Sequence, residues 1–521
     1  MTPVILAVDQ GSSSSRCLVL SASEQGGHVG RPPGLAVLGT ASSDVATALP
    51  RPGWVEHDPD EITLSVRQSI TAALTAADAS WRDVCAIGLA AQTETFIVWE
   101  RGTGRPVYPA ISWRDSRAAD VCRRLSARGD AAEIRRRSGL PLQSAFSAPK
   151  LRWLLDEIDG GQRRAAAGEL LFGDVNTWLT WQLSGGTAHV AEPSMASRTM
   201  LFSLADLTWD PVLLELFGIP APMLPDVYPT AGRLAMTDAG ATGGVAPICA
   251  TVGDQQAALF GQRCFDAGQA KLTLGTGAFL WCQAGADHPA VSPDGVVASC
   301  AWQIGEKACY GLEGFVPNAG SVVPWLRRLG VLPEGAWPSV GETALVRAAQ
   351  AGTGGVWCVP AVYGLGTPAW SGPARADIVG LTATSTAADV AEAALLGVAH
   401  QVADAIDAVG AALPEPPATI RVDGGMARND SLLQAIADLG GAALERPSFA
   451  EATALGAGAL AGLGAGAWDA AAVSDLLNRA AGDSARIRPG LSASDRASVR
   501  QSWRHVREQA VSGWLAPTRQ R

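Results

Sequence analysis

Two segments far apart in the sequence share one pattern, in which an apolar run leads into a turn of glycine and hydroxyl residues and then into a second apolar run. The first spans residues 3–20, and its turn reads GSSSS. The second spans residues 272–280, with GTG at its turn. Each pattern predicts a β-hairpin. Two such units, one opening each half of the chain, are typical of a duplicated fold with a ligand cleft between its halves.

Turns of this composition suit phosphate groups, because glycine lets backbone N–H groups approach an anion and the hydroxyls add donors. The first turn lacks the Lys-Ser/Thr end of a Walker A loop. Before it, at the strand end, Asp9 is predicted to hold Mg²⁺ directly or through water. The alternative is a pair of plain hairpins. The candidate phosphate-binding residues are Ser12, Ser13, Ser14, Gly275 and Thr276, with Arg16 offsetting phosphate charge.

A carboxylate follows the apolar run 248–252, in the sequence Gly253-Asp254-Gln255-Gln256, after which the chain turns apolar again. This pattern predicts a buried strand that delivers Asp254 to the start of a helix. The alternative role is that of a helix N-cap. A carboxylate beside a phosphate site predicts phosphoryl transfer to an alcohol, which needs a base to accept the hydroxyl proton. Asp254 is the candidate catalytic base.

The composition favours a large soluble protein. A length of 521 residues predicts two or more domains. The net charge of −10 and the scattered arginines argue against nucleic-acid and membrane partners. Nine cysteines without a CxxC motif argue against a zinc site or a disulfide framework and favour a reducing cytoplasm, and the N-terminus has no signal-peptide pattern. The uncharged residues 452–468 are too weakly hydrophobic for a membrane span and predict a buried helix with a close-packed face.

Further segments, in order along the chain, are similar to segments of the FGGY carbohydrate kinases, in particular of their glycerol kinase-like branch. Residues 53–58 match the GWVEHD segment, and residues 91–95 (AQTET) resemble the NQRET segment. The other similar segments are residues 107–117, 149–154, 171–174, 196–202, 313–314, 319–320, 359–368 and 420–429. The resemblance therefore extends over nearly the whole chain.

The resemblance implies an α/β fold of two actin-like, ribonuclease H-like lobes with a nucleotide and substrate cleft between them. It implies an N-terminal lobe at residues 1–257 that binds the sugar or polyol and a C-terminal lobe at residues 258–521 that binds the nucleotide. In this family both hairpins face the phosphates of ATP. ATP and Mg²⁺ are the implied cofactors.

Glycines near the nucleotide are expected at two places. Gly320 falls in a segment that resembles the family's nucleotide pocket, and Gly425 lets an adenine or ribose lie against the backbone. Asn429 can supply an amide to the base. The alternative is an ordinary strand-to-helix turn with a cap. The glycine pair in residues 456–458 is not a dinucleotide fingerprint, because no strand precedes it.

The same resemblance implies the acceptor site. In glycerol kinases the Asp-Gln pair that matches Asp254 and Gln255 contacts the alcohol, so Gln255 is expected to orient a second hydroxyl. Trp113 and Phe279 resemble the apolar wall of the pocket. The other candidate acceptor-binding residues are Gln92, Thr93, Glu94 and Ala145.

Three positions depart from the glycerol kinase pattern. Thr93 replaces the Arg of the NQRET segment, and Ala145 stands where those kinases have a Tyr. Because both losses leave vacant volume and remove donors for a small polyol, we expect a larger acceptor, a polyol of four or five carbons or a related sugar. Pro324 replaces a Gln near the nucleotide and offers no N–H, so the preference for ATP over other triphosphates is left open.

The sequence thus predicts a cytoplasmic ATP-dependent polyol or sugar kinase whose lobes close to exclude water. Two alternatives stay open: a true glycerol kinase with a rearranged pocket, and a catalytically silent sugar-binding sensor of the same fold. The retained Asp9, Asp254 and Thr276 argue against the sensor. The oligomeric state is also open, with a homodimer and a homotetramer as candidates.

Overall fold

The structure of the protein is a computed structural model that describes residues 3–22, 36–289, 295–333, 355–372, 374–449 and 451–512. The strands are β1 (Val4–Gln10), β2 (Ser14–Ser21), β3 (Val37–Asp44), β4 (Glu56–His57), β5 (Val84–Ala91), β6 (Phe96–Glu100), β7 (Ala110–Ile111), β8 (Leu170–Asp174), β9 (Val190–Ala191), β10 (Phe202–Ser203), β11 (Thr208–Trp209), β12 (Asp226–Val227), β13 (Ala231–Met236), β14 (Pro247–Gly253), β15 (Ala270–Leu274), β16 (Ala278–Gly285), β17 (Val297–Ile304), β18 (Lys307–Val316), β19 (Trp357–Val359), β20 (Asp377–Val379), β21 (Thr419–Asp423), β22 (Ala443–Arg446) and β23 (Ala485–Ile487).

The helices connect these strands and cover the sheet. The α-helices are α1 (Pro59–Ala76), α2 (Ala119–Arg128), α3 (Ala131–Ser138), α4 (Ser147–Glu157), α5 (Gly161–Ala166), α6 (Val175–Leu183), α7 (Pro193–Ala196), α8 (Pro211–Phe217), α9 (Ala239–Thr242), α10 (Asp254–Gly261), α11 (Val322–Arg328), α12 (Ala387–Ala411), α13 (Asp430–Gly440), α14 (Ala452–Gly464), α15 (Ala470–Ala481) and α16 (Ala493–Ser512). Short 3₁₀ segments lie at Trp81–Asp83, Ala221–Met223 and Gly425–Arg428.

The first half of the main sheet is built around the first predicted hairpin. Strand β1 pairs antiparallel with β2, which pairs antiparallel with β3. On its other edge β1 pairs in parallel with β5, and β5 pairs in parallel with β14. The central strands are apolar along nearly their whole length because both faces of the sheet are covered.

The second half repeats this arrangement around the second predicted hairpin. Strands β15, β16 and β18 form the antiparallel set, and β21 and β22 add in parallel on the other edge of β15. The orders β3-β2-β1-β5-β14 and β18-β16-β15-β21-β22 therefore correspond strand for strand, and the two halves join where β13 meets β17. This correspondence confirms the predicted duplicated α/β fold.

Helix α14 occupies most of the uncharged segment 452–468 and is buried, as predicted. It packs on β1, β5 and β14, although it lies late in the sequence. A Cβ added at Gly456 would lie 1.9 Å from the carbonyl oxygen of Ala257, and one added at Gly88 would lie 2.2 Å from that of Ala457. The glycines of α14 and its neighbours therefore serve close backbone packing, and residues 456–458 form no nucleotide turn.

The boundary predicted at residue 257 falls inside α10, and the division into two lobes there stays a prediction. Within the described part of the chain, no helix combines the length and the apolar character needed to cross a membrane.

Candidate active site

Asp254 is the first residue of α10, directly after the buried strand β14, as the sequence predicted. The N-cap of this helix is Gly253, and Asp254 Oδ1 instead accepts a hydrogen bond from the N–H of Gln255 at 2.7 Å. The alternative role of Asp254 as an N-cap is therefore wrong. Gly253 also allows close approach of the neighbouring loop, because a Cβ there would lie 2.8 Å from Cγ2 of Thr93.

The electrostatic surroundings of Asp254 favour a basic carboxylate. Burial raises the pKa of Asp254 to about 6, while the charge of Lys271 lowers it and the charge of Glu94 raises it. At neutral pH the group is still mainly ionised, yet it is a stronger base than an exposed aspartate. This is the state that a general base for an alcohol requires.

Asp9 is the next-to-last residue of β1, and its side chain lies near other carboxylates. The pKa of Asp9 rises to about 7, first because of burial and then because of the nearby charges of Asp254 and Glu451, while Arg16 opposes the rise. Arg16 forms an ion pair with Glu451. Asp423, at the end of β21, adds a further negative charge. Carboxylates from both halves of the fold therefore meet near Asp9 and Asp254.

This concentration of negative charge fits a divalent cation beside a phosphate. Mg²⁺ is usually held by one or two carboxylates together with phosphate oxygens and waters. Among the described residues, no group of three or more His, Cys, Asp and Glu side chains is arranged to hold a metal. The carboxylate of Asp9 is a donor that suits a Mg²⁺ shared with phosphates, and the place of Mg²⁺ there stays a prediction.

The first turn contacts the loop of residues 92–95, which carries predicted acceptor-binding residues and is named the acceptor loop. Ser12 Oγ accepts a hydrogen bond from Nε1 of Trp113 at 3.1 Å and donates to Oε1 of Gln92 at 3.2 Å. Ser13 is exposed and Ser14 is half-buried at the start of β2. The structure therefore joins Ser12 to two candidate acceptor-binding residues and leaves Ser13 and Ser14 at the rim of the turn.

Glu94 has a left-handed backbone conformation, with φ +61°, and each of its two carboxylate oxygens accepts a hydrogen bond. Thr93 Oγ1 donates to Glu94 Oε2 at 2.7 Å, and Nε of Arg198 donates to Glu94 Oε1 at 2.5 Å. The other arm of Arg198 lies 2.6 Å from Oε2 of Glu313 on β18. Sequence reasoning missed Arg198 and Glu313 as site residues, although both lie in segments that resemble the family.

Ala145 is fixed by a buried lysine. Lys150 Nζ donates to the backbone oxygens of Ala145 at 2.7 Å, Ser112 at 2.8 Å and Glu94 at 3.3 Å. Burial lowers the pKa of Lys150 to about 7. This one side chain therefore holds together the three loops that carry Ala145, Trp113 and Glu94.

An aromatic wall connects the two halves. The rings of Trp113 and Phe279, both predicted, lie 6.0 Å apart at a steep angle. Phe315, which sequence reasoning missed, lies 5.1 Å from Phe279 and 6.5 Å from Trp113. Phe315 directly follows residues 313–314, a segment that is similar to the family, and this position could have indicated it as a site residue.

The second turn is in contact with Gly320, whose predicted place near the nucleotide stays a prediction. The N–H of Gly320 donates to the carbonyl of Gly275 at 2.9 Å, and the N–H groups of Ala319 and Ser321 donate to that of Thr276 at 3.1 Å. A Cβ at Gly320 would lie 2.6 Å from the Gly275 oxygen, so a glycine is required there. Pro324 lies two residues into α11 and is exposed.

The glycines after β21 reach the same turn. Gly424, with φ +91°, lies against the backbone of Leu274, and Gly425 has open space where a Cβ would stand. Asn429 is the N-cap of α13, and its Oδ1 accepts from the N–H of Leu432 at 3.0 Å. The cap role that the sequence left as an alternative is thus present, and the contact of Asn429 with a base stays a prediction.

Lys271 is a further residue that the sequence analysis missed. It lies on β15, is completely buried, and donates to Oε1 of Gln255 at 2.5 Å. A single lysine inside the otherwise apolar run before the GTG turn was a visible signal. Gln255 and the second hairpin are therefore in direct contact.

Comparison with known proteins identifies the family of this chain. The chain matches the FGGY family of carbohydrate kinases, N-terminal domain, over residues 4–261 and the C-terminal domain of the same family over residues 270–465. A glycerol kinase of Citrifermentans bemidjiense is 43% identical over 507 residues, which cover 96% of this chain and 97% of that protein. A glycerol kinase of Thermus brockianus is 42% identical over 511 residues, covering 98% and 99%.

Solved structures give the same result for the fold. The structure is similar to that of Plasmodium falciparum glycerol kinase with ADP, with a TM-score of 0.85, 29% identity and 99% of each chain covered. A gluconate kinase from Lactobacillus acidophilus gives a TM-score of 0.83 at 20% identity, a likeness of fold alone, over 99% of each chain. The chain belongs to the FGGY family of carbohydrate kinases, in its glycerol kinase-like branch, and is a phosphotransferase that acts on an alcohol group.

Proposed function

We propose that the protein transfers the γ-phosphoryl group of ATP to a hydroxyl of a polyol with four or five carbons, or of a related sugar, with Asp254 as the general base. The observation that supports this proposal is the electrostatic coupling of Asp254 to Asp9, before the first turn, and to Lys271, before the second. A base at the meeting point of two phosphate-binding turns fits a kinase.

In the proposed transfer, Asp254 accepts the proton of the acceptor hydroxyl as the alcohol oxygen forms its bond to the γ-phosphorus. The bond from that phosphorus to the bridging oxygen breaks, and ADP leaves. Backbone N–H groups and the hydroxyl of the second turn, at Gly275 and Thr276, orient phosphate oxygens, as do Ser13 and Ser14 of the first. Mg²⁺, when bound at Asp9, neutralises phosphate charge.

The acceptor loop supports a larger substrate than glycerol. Thr93 directs its hydroxyl to Glu94, whose other oxygen is held by Arg198, so this loop presents a short side chain where the resembling kinases have an arginine. Ala145 leaves similar space. The rings of Trp113 and Phe279 offer an apolar surface for the C–H face of a longer polyol or sugar.

Glycerol is the second candidate acceptor. It is favoured by relatives named glycerol kinase that match nearly the whole chain at 42% to 43% identity. The two candidates differ in what fills the space beside Thr93 and Ala145: extra carbons of the acceptor, or neighbouring side chains.

A substrate panel separates the two. Purified protein with ATP and Mg²⁺ would be tested with glycerol, erythritol, ribitol, xylitol, D-arabinitol and D-xylulose, and ADP release would be measured. We expect kcat/KM for at least one acceptor of four or five carbons to exceed that for glycerol. Glycerol turnover equal to or better than all others would overturn the larger acceptor and leave the kinase assignment intact.

A further inference from the structure

Lys271 is a charged side chain without solvent exposure in the interior of the fold. Burial of an ammonium is costly unless hydrogen bonds and opposite charges compensate it. Lys271 Nζ donates to Gln255 Oε1 at 2.5 Å and to Thr273 Oγ1 at 2.9 Å. The charged groups that face it are Asp423, Asp254 and Glu313, and the neutral Cys264 thiol is also near. This cluster joins β15 to the first turn of α10.

The contact between Lys271 and Gln255 fixes the orientation of an amide. An ammonium group can only donate hydrogen bonds, so the atom of Gln255 that faces it must be the carbonyl oxygen. The NH₂ group of Gln255 then points to the opposite side of the amide. There it lies beside the carboxylate of Asp254, whose pKa is lowered by the Gln255 side chain.

We propose that Lys271 is a positioning residue that fixes Gln255 as an N–H donor beside Asp254. The site then binds two neighbouring hydroxyls of the acceptor, one as a hydrogen-bond donor and the other as a hydrogen-bond acceptor. The hydroxyl to be phosphorylated donates its proton to Asp254. The oxygen of the adjacent hydroxyl accepts a hydrogen bond from Gln255. This inference rests on the proposed function, and it specifies the acceptor as a 1,2-diol unit and not an isolated alcohol.

The physical consequence is a link between Lys271 and one hydroxyl of the acceptor. With Lys271 present, the Gln255 amide can offer only its NH₂ group to the acceptor. Because this orientation exists before binding, no free energy is lost in ordering the side chain when the acceptor binds. Without the ammonium, the Gln255 side chain gains rotational freedom, and the adjacent hydroxyl loses a fixed donor. Loss of one such hydrogen bond corresponds to about 5-fold to 100-fold in acceptor affinity.

The test compares acceptors with and without a hydroxyl next to the terminal one. The pairs are glycerol with 1,3-propanediol and erythritol with 1,4-butanediol, each measured with ATP and Mg²⁺. In the unaltered protein we expect the hydroxyl-rich member to have the higher kcat/KM. In Lys271→Met we expect the ratio within a pair to fall by about 10-fold or more. The change should appear mainly in KM of the hydroxyl-rich member, glycerol or erythritol. The values for 1,3-propanediol and 1,4-butanediol should change little.

Two further variants keep the test decisive. Thr273→Val removes the other partner of Lys271 without touching Gln255, so it should keep the acceptor ratio of the unaltered protein. Gln255→Glu keeps a carboxyl oxygen for Lys271 but removes the N–H donor, so it should lose the ratio even if Lys271→Met does not fold. An unchanged ratio in both Lys271→Met and Gln255→Glu would overturn the inference.

The inference can fail while the proposed function holds. If the unaltered protein phosphorylates an acceptor and the ratios do not depend on Lys271, only the positioning role is wrong. If the unaltered protein phosphorylates neither these four compounds nor any acceptor of the substrate panel, the proposed function is wrong, and the four compounds are then compared by calorimetric binding. A binding preference for glycerol over 1,3-propanediol that Lys271→Met abolishes would still support the role of Lys271, and its persistence would overturn it.

Discussion

Nε of Arg198 lies 2.5 Å from Oε1 of Glu94, and both side chains are buried. The second arm of the same guanidinium lies 2.6 Å from Glu313, which belongs to the other half of the fold. The rings of Phe146 and Trp281 lie 5.4 Å and 5.5 Å from the guanidinium carbon. One arginine thus forms ion pairs with two buried carboxylates and links the two halves of the fold.

Removing this arginine should destabilise the fold strongly. Arg198→Met leaves Glu94 and Glu313 buried without the guanidinium that pairs with both of them, and breaking a buried pair in this way costs about 3 to 5 kcal/mol. Equilibrium unfolding in urea would measure the loss. The matched control is Arg136→Met, whose pair with Glu133 is exposed and should cost less than about 1 kcal/mol. Similar losses for the two variants would contradict the bridging role.

Asp254→Asn should abolish turnover without removing binding. The amide cannot accept the hydroxyl proton, and loss of a general base lowers kcat by about 10²-fold to 10⁴-fold. Affinity for ADP, measured by calorimetry, should change little because the phosphate-binding turns are intact. Asp60→Asn, an exposed acid in the first turn of α1, serves as the control and should retain full activity.

The acid side of the pH profile should reflect Asp254. Only the ionised carboxylate accepts a proton, so kcat/KM should decrease as the pH falls through about 6, the pKa of Asp254. The pKa of Asp9, about 7, adds a loss of Mg²⁺ affinity in the same range, because protonated Asp9 is a poor ligand. A rate that is constant from pH 8 to pH 5 at saturating Mg²⁺ would exclude Asp254 as the base.

The burial of Asp254 should make the fold less stable as the pH rises, whereas the activity should increase as the pH rises. The folded-state pKa of Asp254 lies above the ordinary aspartate value of about 4, so the stabilising effect of the protonated form is complete below that value and is lost as pH rises through about 6. Asp254→Asn should therefore raise the melting temperature at pH 8 and leave it nearly unchanged at pH 4. Thermal unfolding followed by circular dichroism would measure both.

Restoring the glycerol kinase residues should change the acceptor. In Thr93→Arg combined with Ala145→Tyr, two donors return and the vacant volume is filled. We expect kcat/KM for glycerol to rise by about 5-fold to 100-fold and that for polyols of five carbons to fall. Thr103→Arg, which adds an arginine to an exposed hairpin far from the site, should leave both values unchanged. No shift in the double variant would contradict the assignment of the pocket.

The close contact of α14 with α10 gives a prediction about packing. Gly456→Ala would place a Cβ 1.9 Å from the carbonyl oxygen of Ala257, so the two helices must separate at a cost of at least about 1 to 3 kcal/mol. Gly102→Ala, where a Cβ meets no atom within 4 Å, is the control and should not destabilise the fold. Urea unfolding of both variants measures the difference.

The nature of each local element could be predicted from the sequence alone. The two hairpins, the strand before Asp254 and the buried helix of residues 452–468 are all present, because apolar periodicity and glycine-rich turns act between neighbours in the chain. The family could be predicted for a similar reason, since its segments appear in order. At Asn429 the structure contains the helix cap that the sequence left as an alternative, because its side-chain oxygen accepts a hydrogen bond at the start of α13.

The partners of the buried charges were decided by the tertiary structure. Arg198 meets Glu94, 104 positions away, only because the fold packs their loops together, and it meets Glu313 because the two halves of the fold are joined there. Lys271 reaches Gln255 for the same reason, at the junction of β15 and α10. Local sequence determines whether each segment forms a helix, a strand or a turn. The partners of a buried ammonium or guanidinium are instead the acceptors that the packed fold places beside it, because no water is available there as an alternative partner.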